Sequence, residues 1–164
     1  MPNYVYQKFF VSGDKGDLEN FLNKVFTDDE LDFNNIIPEP TRLEECPKEF
    51  ILSPDNTFVK PLEDRPWFNW YFWRLNNWQT KWNCCDTNYY FETDKKLVIA
   101  FETAWSPVIN LVFEITKRFP SLKFRYFYLD ESEEFCGKIV RNRKGEYTHY
   151  EYCYSEKLQK EAGF

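Results

Sequence analysis

The sequence predicts an α+β fold of the ferredoxin-like sandwich kind, with a mainly antiparallel sheet and two helices on one face. A Pro/Trp-rich insertion follows the second strand, and an extra hairpin closes the chain. Three observations lead there. Two segments, Leu18–Phe26 and Val108–Phe119, carry apolar residues at helical spacing. Runs rich in aromatic and β-branched residues flank both of them. The resulting order is strand, helix, strand, insertion, hairpin, helix, strand, hairpin, which is two βαβ halves around an insertion.

Each element has its own signal. Tyr4–Val11 reads as a strand stopped by the Ser12-Gly13 turn. Asp14 or Asp17 then caps a helix whose Leu18, Phe21, Leu22, Val25 and Phe26 fall on one face. Asp32–Ile37 suggests a short second strand, because Pro38 and Pro40 cannot donate to a ladder. From about residue 40 to 83 the chain reads as an insertion. Its prolines at 40, 47, 54, 61 and 66 exclude long helices and leave at most a helical turn near Thr41–Glu45. Phe50, Ile51, Leu52, Phe58 and Val59 need cover, so this segment is expected to wrap the sheet. In Trp67–Trp78 the residues Phe68, Tyr71, Phe72 and Leu75 stand at helical spacing, with Trp70 and Trp73 on other faces.

Asp86–Glu92 and Leu97–Thr103 suggest a hairpin. Ser106 is placed to cap the second long helix, Pro107 suits its first position, and Pro120 ends it. Leu122–Leu129 alternates Phe124, Tyr126 and Tyr128 against Arg125 and Phe127, as a strand does. Phe135–Arg141 and Glu146–Tyr154 form a final hairpin through Asn142-Arg143-Lys144-Gly145. The charged tail, 155–164, is expected to be flexible, frayed or weakly helical. At 164 residues, with no polar hinge, residues 1–164 are expected to form a single domain.

Composition narrows the function classes. Aromatic residues make up 21% of the chain, more than one core of this size easily hides, so some rings belong at the surface, where Trp and Tyr serve contact sites. A net charge of −6 argues against a broadly nucleic-acid-coating or anionic-membrane surface. The acidic runs Asp28-Asp29-Glu30 with Asp32 and Asp130-Glu131-Ser132-Glu133-Glu134 read as solvated loops. No apolar run approaches the roughly 18 residues of a membrane helix, and the N-terminus lacks a signal-peptide pattern. The expected place is therefore the cytoplasm. The five cysteines show no CxxC spacing and there is one histidine, so no metal and no cofactor is expected. Adjacent Cys84 and Cys85 are expected to be free thiols.

Three strings stand out together: Ile36-Ile37-Pro38-Glu39-Pro40, Asn77-Trp78-Gln79-Thr80-Lys81-Trp82-Asn83 and Phe101-Glu102-Thr103-Ala104-Trp105-Ser106-Pro107. In this order they resemble the YubB-like ferredoxin-domain family of uncharacterised phage and plasmid proteins, over about residues 3–137. Phe135-Cys136-Gly137 resembles that family's late Phe-x-Gly. The resemblance implies the fold and a mobile-element origin, and no reaction. Gln79 replaces the family's glycine and Val108 its second proline, which questions a turn that needs glycine.

Asn77, Thr80, Lys81, Asn83 and Asp86, with Glu102 and Thr103, are the densest polar set, interleaved with Trp78, Trp82 and Trp105. One reading is a binding site made of Trp73, Asn77, Trp78, Thr80, Lys81, Trp82, Asn83, Asp86 and Trp105. A bland reading competes, in which the polar residues bond the backbone of a tight turn and Lys81 lies along a Trp face. Catalysis would need Lys81 desolvated beside Asp86 or Glu102. A Cys153–His149 pair is ruled out as a direct couple, because i and i+4 in a strand lie about 13 Å apart. Gly13-Asp14-Lys15-Gly16 is a turn, being too short for a phosphate loop.

Three function classes follow. The first is an accessory protein that binds a protein partner of host or phage, and that inhibits a host defence or restriction protein. The second is a single-stranded nucleic-acid-binding module, in which Lys123–Tyr128 interleaves rings with charge near Arg141, Arg143 and Lys144. The third is a small enzyme. An RNP-type Gly-Phe-Gly-Phe string is missing, which weighs against the second.

Overall fold

The computed structural model describes residues 3–40, 45, 49–52, 57–60 and 69–164. Its elements run β1 (Tyr4–Ser12), α1 (Lys15–Val25), β2 (Phe26–Thr27), β3 (Glu30–Leu31), β4 (Ile51–Leu52), β5 (Phe58–Val59) and α2 (Trp70–Asn77). Then come β6 (Cys85–Thr93), β7 (Lys96–Ala104), α3 (Ile109–Arg118), β8 (Lys123–Asp130), β9 (Cys136–Arg141), β10 (Tyr147–Tyr152) and α4 (Glu156–Ala162). A six-stranded sheet has the order β10-β9-β8-β1-β7-β6, every neighbouring pair antiparallel. Its β8-β1-β7-β6 part, with α1 and α3, is a ferredoxin-like sandwich, and β9 and β10 extend one edge as the expected extra hairpin.

The sheet has two unlike faces because side chains alternate along each strand. Val5, Phe9 and Val11 of β1, Phe101 of β7, and Phe124, Tyr126 and Tyr128 of β8 join one core with Leu18, Phe21 and Val25 of α1 and Leu111, Val112 and Ile115 of α3. Phe9 sits at its centre, stacked 5.8 Å from Phe101 and tilted 5.0 Å from Tyr126. Phe21 meets Phe119 and Phe124 edge-on. Both long helices therefore cover the same face, as the periodicity predicts.

The structure departs from the sequence reading in four places. Asp32–Ile37 is no strand: Phe33–Asn35 forms a 3-10 turn, because the Asp32 side chain accepts the Asn34 N–H and breaks the extended run. Ser106 does not cap α3, which begins at Ile109. The Val108 N–H donates instead to Gln7 and Tyr126, and the Asn110 N–H to Gln79 Oε1. Asp14 holds the N-cap position of α1 without a side-chain cap bond. The charged tail forms α4, whose Leu158 and Ala162 are buried on Phe127, Leu129 and Cys136 of the second face. Two apolar residues four apart in a charged segment are a weak signal, and that face supplied the partner.

Of the insertion, α2 and Leu52 pack on the main core, and β4 pairs with β5. The suggested turn at Thr41–Glu45 lies, except for Glu45, outside the described residues. No helix among the described residues is long and apolar enough to cross a membrane.

Candidate functional site

The three strings that stand out in the sequence meet in space. Trp78, 1% exposed, donates its Nε1–H to Ile37 O at 2.9 Å and packs against Trp73 and Phe33. Asn83 accepts the Phe33 and Cys84 N–H groups and donates to Asp32 at 2.8 Å. Thr80 donates to Ala104 O at 3.0 Å, and Asn77 to Trp73 O. These four polar and ring residues thus bracket the backbone, and Trp73 is core at 8% exposure.

A pair that the sequence reading missed helps to hold this corner. Arg74 forms a bidentate ion pair with Glu39, at 2.6 Å for the shortest contact, and lies between the Trp70 and Trp78 rings. Both side chains are largely buried, so each charge depends on the other. The i, i+4 spacing of Trp70, Arg74 and Trp78 on one helix face was the available signal.

Gln79 settles the question its substitution raised. Its φ is +67°, the left-handed turn that glycine favours after a helix, so the geometry survives the change of residue. Its side chain adds what glycine lacks, accepting the Asn110 N–H at 2.8 Å in the first turn of α3. One residue ends α2 and caps α3.

Trp105 has φ +73°, the residue is 54% exposed, and its backbone N–H donates to Asn3 O. A bulky residue in this region is unusual and persists only where its surroundings over-determine it. They do so here through a buried network. Gln7 donates to Thr103 and accepts from Tyr126 and the Val108 N–H, while Thr103 donates to Ser106 O at 2.7 Å. Gln7 is 1% exposed on the inward face beside Val5 and Phe9, and that lone polar residue in an apolar register was legible in the sequence. Burial drives the Tyr126 phenol well above its ordinary value, so it stays a neutral donor.

The exposed side of this corner is a cavity of ≈ 360 Å³ lined by Tyr71, Leu75, Gln79, Lys81, Ala104, Trp105 and Ser106. Lys81 Nζ stands 3.7 Å from the ring centroid of Trp82, a residue 43% exposed. Asp86 and Glu102 line a different cavity, with Tyr6 and Lys8. Lys81 is therefore not grouped with either carboxylate, as an acid–base role would need.

Asp86 is joined by Cys85 and Glu102, the ligand-type atoms of all three lying within 4.8 Å of one another across β6 and β7; the sequence reading grouped Asp86 with Glu102 but missed Cys85. Burial first, then Asp86, Glu102 and Glu30, push the Cys85 thiol up, and burial pushes Cys84 up to about 12. Both thiols are free and held protonated, which makes them poor nucleophiles. Cys46 lies outside the described residues. His149 Nε2 pairs with Tyr128 OH at 2.8 Å rather than with a cysteine.

The rings proposed to stack on single-stranded nucleic acid are not displayed. Phe124, Tyr126, Phe127 and Tyr128 are all buried, and Arg125 is ion-paired with Glu161 of α4. The alternation on β8 is real, but α4 covers the face where Phe127 points.

No curated protein matches this sequence. Among solved structures, the protein Api92 from Yersinia pseudotuberculosis is similar at 14% identity and a TM-score of 0.45, covering 57% of this chain. The chain spans about a third of the length of that protein, 33% of it being covered. The family model described as the ferredoxin-like domain in Api92-like protein matches residues 77–163, just over half of the sequence. On that match the chain belongs to the family of ferredoxin-like domains found in Api92-like proteins.

Proposed function

We propose that this chain is an accessory protein of a mobile genetic element, phage or plasmid, that acts inside the host bacterium by binding a protein partner. The resemblance to the YubB-like family supports the origin. The observation that carries the binding role is Trp105, a half-exposed ring at a strained backbone position, buttressed by a fully bonded buried network. Strain of this kind costs of order 1–3 kcal/mol and clusters at functional sites. With Lys81, whose ammonium lies over the Trp82 ring, Trp105 borders a cavity open to a partner, and exposed tryptophans with a nearby cation are frequent binding hot spots. Inhibition of a host defence or restriction protein is the biological role this reading favours.

A pull-down from host lysate tests it. The tagged wild-type chain is expected to retain a partner that Trp105→Ala and Lys81→Ala lose, while Trp105→Ala keeps the wild-type circular dichroism. If both variants keep every partner, the surface is a structural corner and the reading fails. Trp73→Ala is unsuitable here, because Trp73 is core.

A further inference from the structure

α4 covers the sheet's second face over β8 and β9 and reaches Phe10 and Lys8 of β1 at its edge. Beyond that edge, paired residues across β1, β7 and β6 are Tyr6 with Glu102, Lys8 with Ala100, and Cys85 with Glu102. A cavity of ≈ 300 Å³ lies there, lined by Tyr6, Lys8, Asp86, Ala100, Glu102 and Phe164 among others. This is near the lower end of the range for ligand pockets, roughly 300–1,000 Å³.

Apart from Lys8, the charged residues lining this cavity are the carboxylates Asp86 and Glu102. Burial, then the charges of Asp86 and Glu131, push the Glu102 carboxyl up. Glu30, on β3, acts on Cys85 in the same sense after burial, Asp86 and Glu102. One carboxylate of each acidic run is thus felt electrostatically at this corner, Glu131 at Glu102 and Glu30 at Cys85. Lys8, the cation in the lining, is turned to α4: its Nζ donates to Gly163 O at 2.7 Å and Ala162 O at 3.2 Å, and stands over the Phe164 ring. Among the described residues Asp86 and Glu102 have no ion-pair partner.

We infer that this open face docks a basic polypeptide segment, with a lysine or arginine side chain seated between Asp86 and Glu102 and its aliphatic stem against Tyr6, Ala100 and Phe164. An ammonium or guanidinium supplies the charge the two carboxylates lack, and a long stem suits the apolar walls. The exposed Tyr6 ring offers a face for the cation. A phosphate-bearing ligand is opposed by the same two carboxylates. The inference rests on the reading of the chain as a protein-binding module, but it uses a surface separate from the Trp105 cavity.

The test is fluorescence anisotropy on the purified full chain with a short labelled peptide alternating arginine and glycine. A glutamate–glycine peptide and a single-stranded oligonucleotide serve as comparison probes. The arginine peptide is expected to bind and the other two are not. Asp86→Asn with Glu102→Gln should weaken binding about tenfold or more. Asparagine tolerates the φ of +50° at position 86, so the fold is kept. Glu19→Gln with Glu114→Gln, the same loss of charge on the helices of the other face, should change it by less than about twofold. Equal weakening by the two pairs means general charge steering and overturns the proposal, as does an arginine peptide that fails to bind or an oligonucleotide that competes with it. Trp105→Ala should leave peptide binding intact while losing the lysate partner, so the two surfaces fail or stand separately.

Discussion

At the residue scale, Gln79 and Glu102 show opposite uses of strain. Gln79 holds a left-handed turn and offsets its cost by capping α3. Gln79→Gly and Gln79→Ala both lose that cap, but only glycine relieves the backbone, by about 1–2 kcal/mol. The alanine variant is therefore expected to be the less stable of the two by about 1 kcal/mol in denaturant melts; equal stability would mean that the turn is not left-handed. Glu102 is strained electrostatically. Its carboxyl is raised by burial and by Asp86 and Glu131, so the native state holds the proton more tightly than the unfolded chain does. The stability cost is present above the folded value and disappears as pH falls below the unfolded one. Glu102→Gln should then raise Tm at pH 7 and have no effect well below about pH 4; a lower Tm at pH 7 would show that Glu102 has a favourable partner. Gly137 is a simpler case. A Cβ there would run into the buried Tyr128 ring, so Gly137→Ala should cost about 1–3 kcal/mol by chemical denaturation, and a neutral result would mean the ring has room to move.

At the element scale, α4 is the part whose packing was least visible beforehand. It is held by Leu158 and Ala162 on the sheet, by Glu161 between Arg125 and Lys138 at 2.9 Å each, and by Lys8 at its C-terminus. The hydrogen bond from Lys138 is the largest influence holding the Glu161 carboxyl below its usual value, with Arg125 adding to it against some burial. A depressed carboxylate stabilises above its unfolded range and loses that contribution as pH falls through the folded value. Glu161→Gln should therefore speed amide exchange in α4 at pH 7 and leave it at the wild-type rate near pH 3. Faster exchange at both values would point to lost packing instead of lost charge. The helix α3 teaches a related lesson: Ser106 and Pro107 suggested a local cap, yet the caps come from Gln7, Tyr126 and Gln79, far away in sequence.

At the scale of the whole molecule, six tryptophans in one short chain raise the question of which are structural. Trp73→Ala opens the core and should cost about 3–5 kcal/mol, whereas Trp105→Ala should stay within about 1 kcal/mol and act on binding alone. Comparable losses in thermal melts would remove Trp105 from the proposed surface. The sequence by itself determined the two amphipathic helices and the β6–β7 hairpin between them, because burying an apolar stripe or an alternating strand is a demand each segment makes locally; it misplaced the sandwich's second strand, which is β6 after the insertion and not Asp32–Ile37 before it. It also marked three strings as belonging together. Only the tertiary structure decided which of their residues are brackets and which are surface, that α4 lies over the rings of β8, and that Asp86 and Glu102 converge with Cys85 across β6 and β7. Like charges leave no periodic trace in a chain, and their gathering depends on strand register and hairpin placement, which arise only when the sheet is assembled.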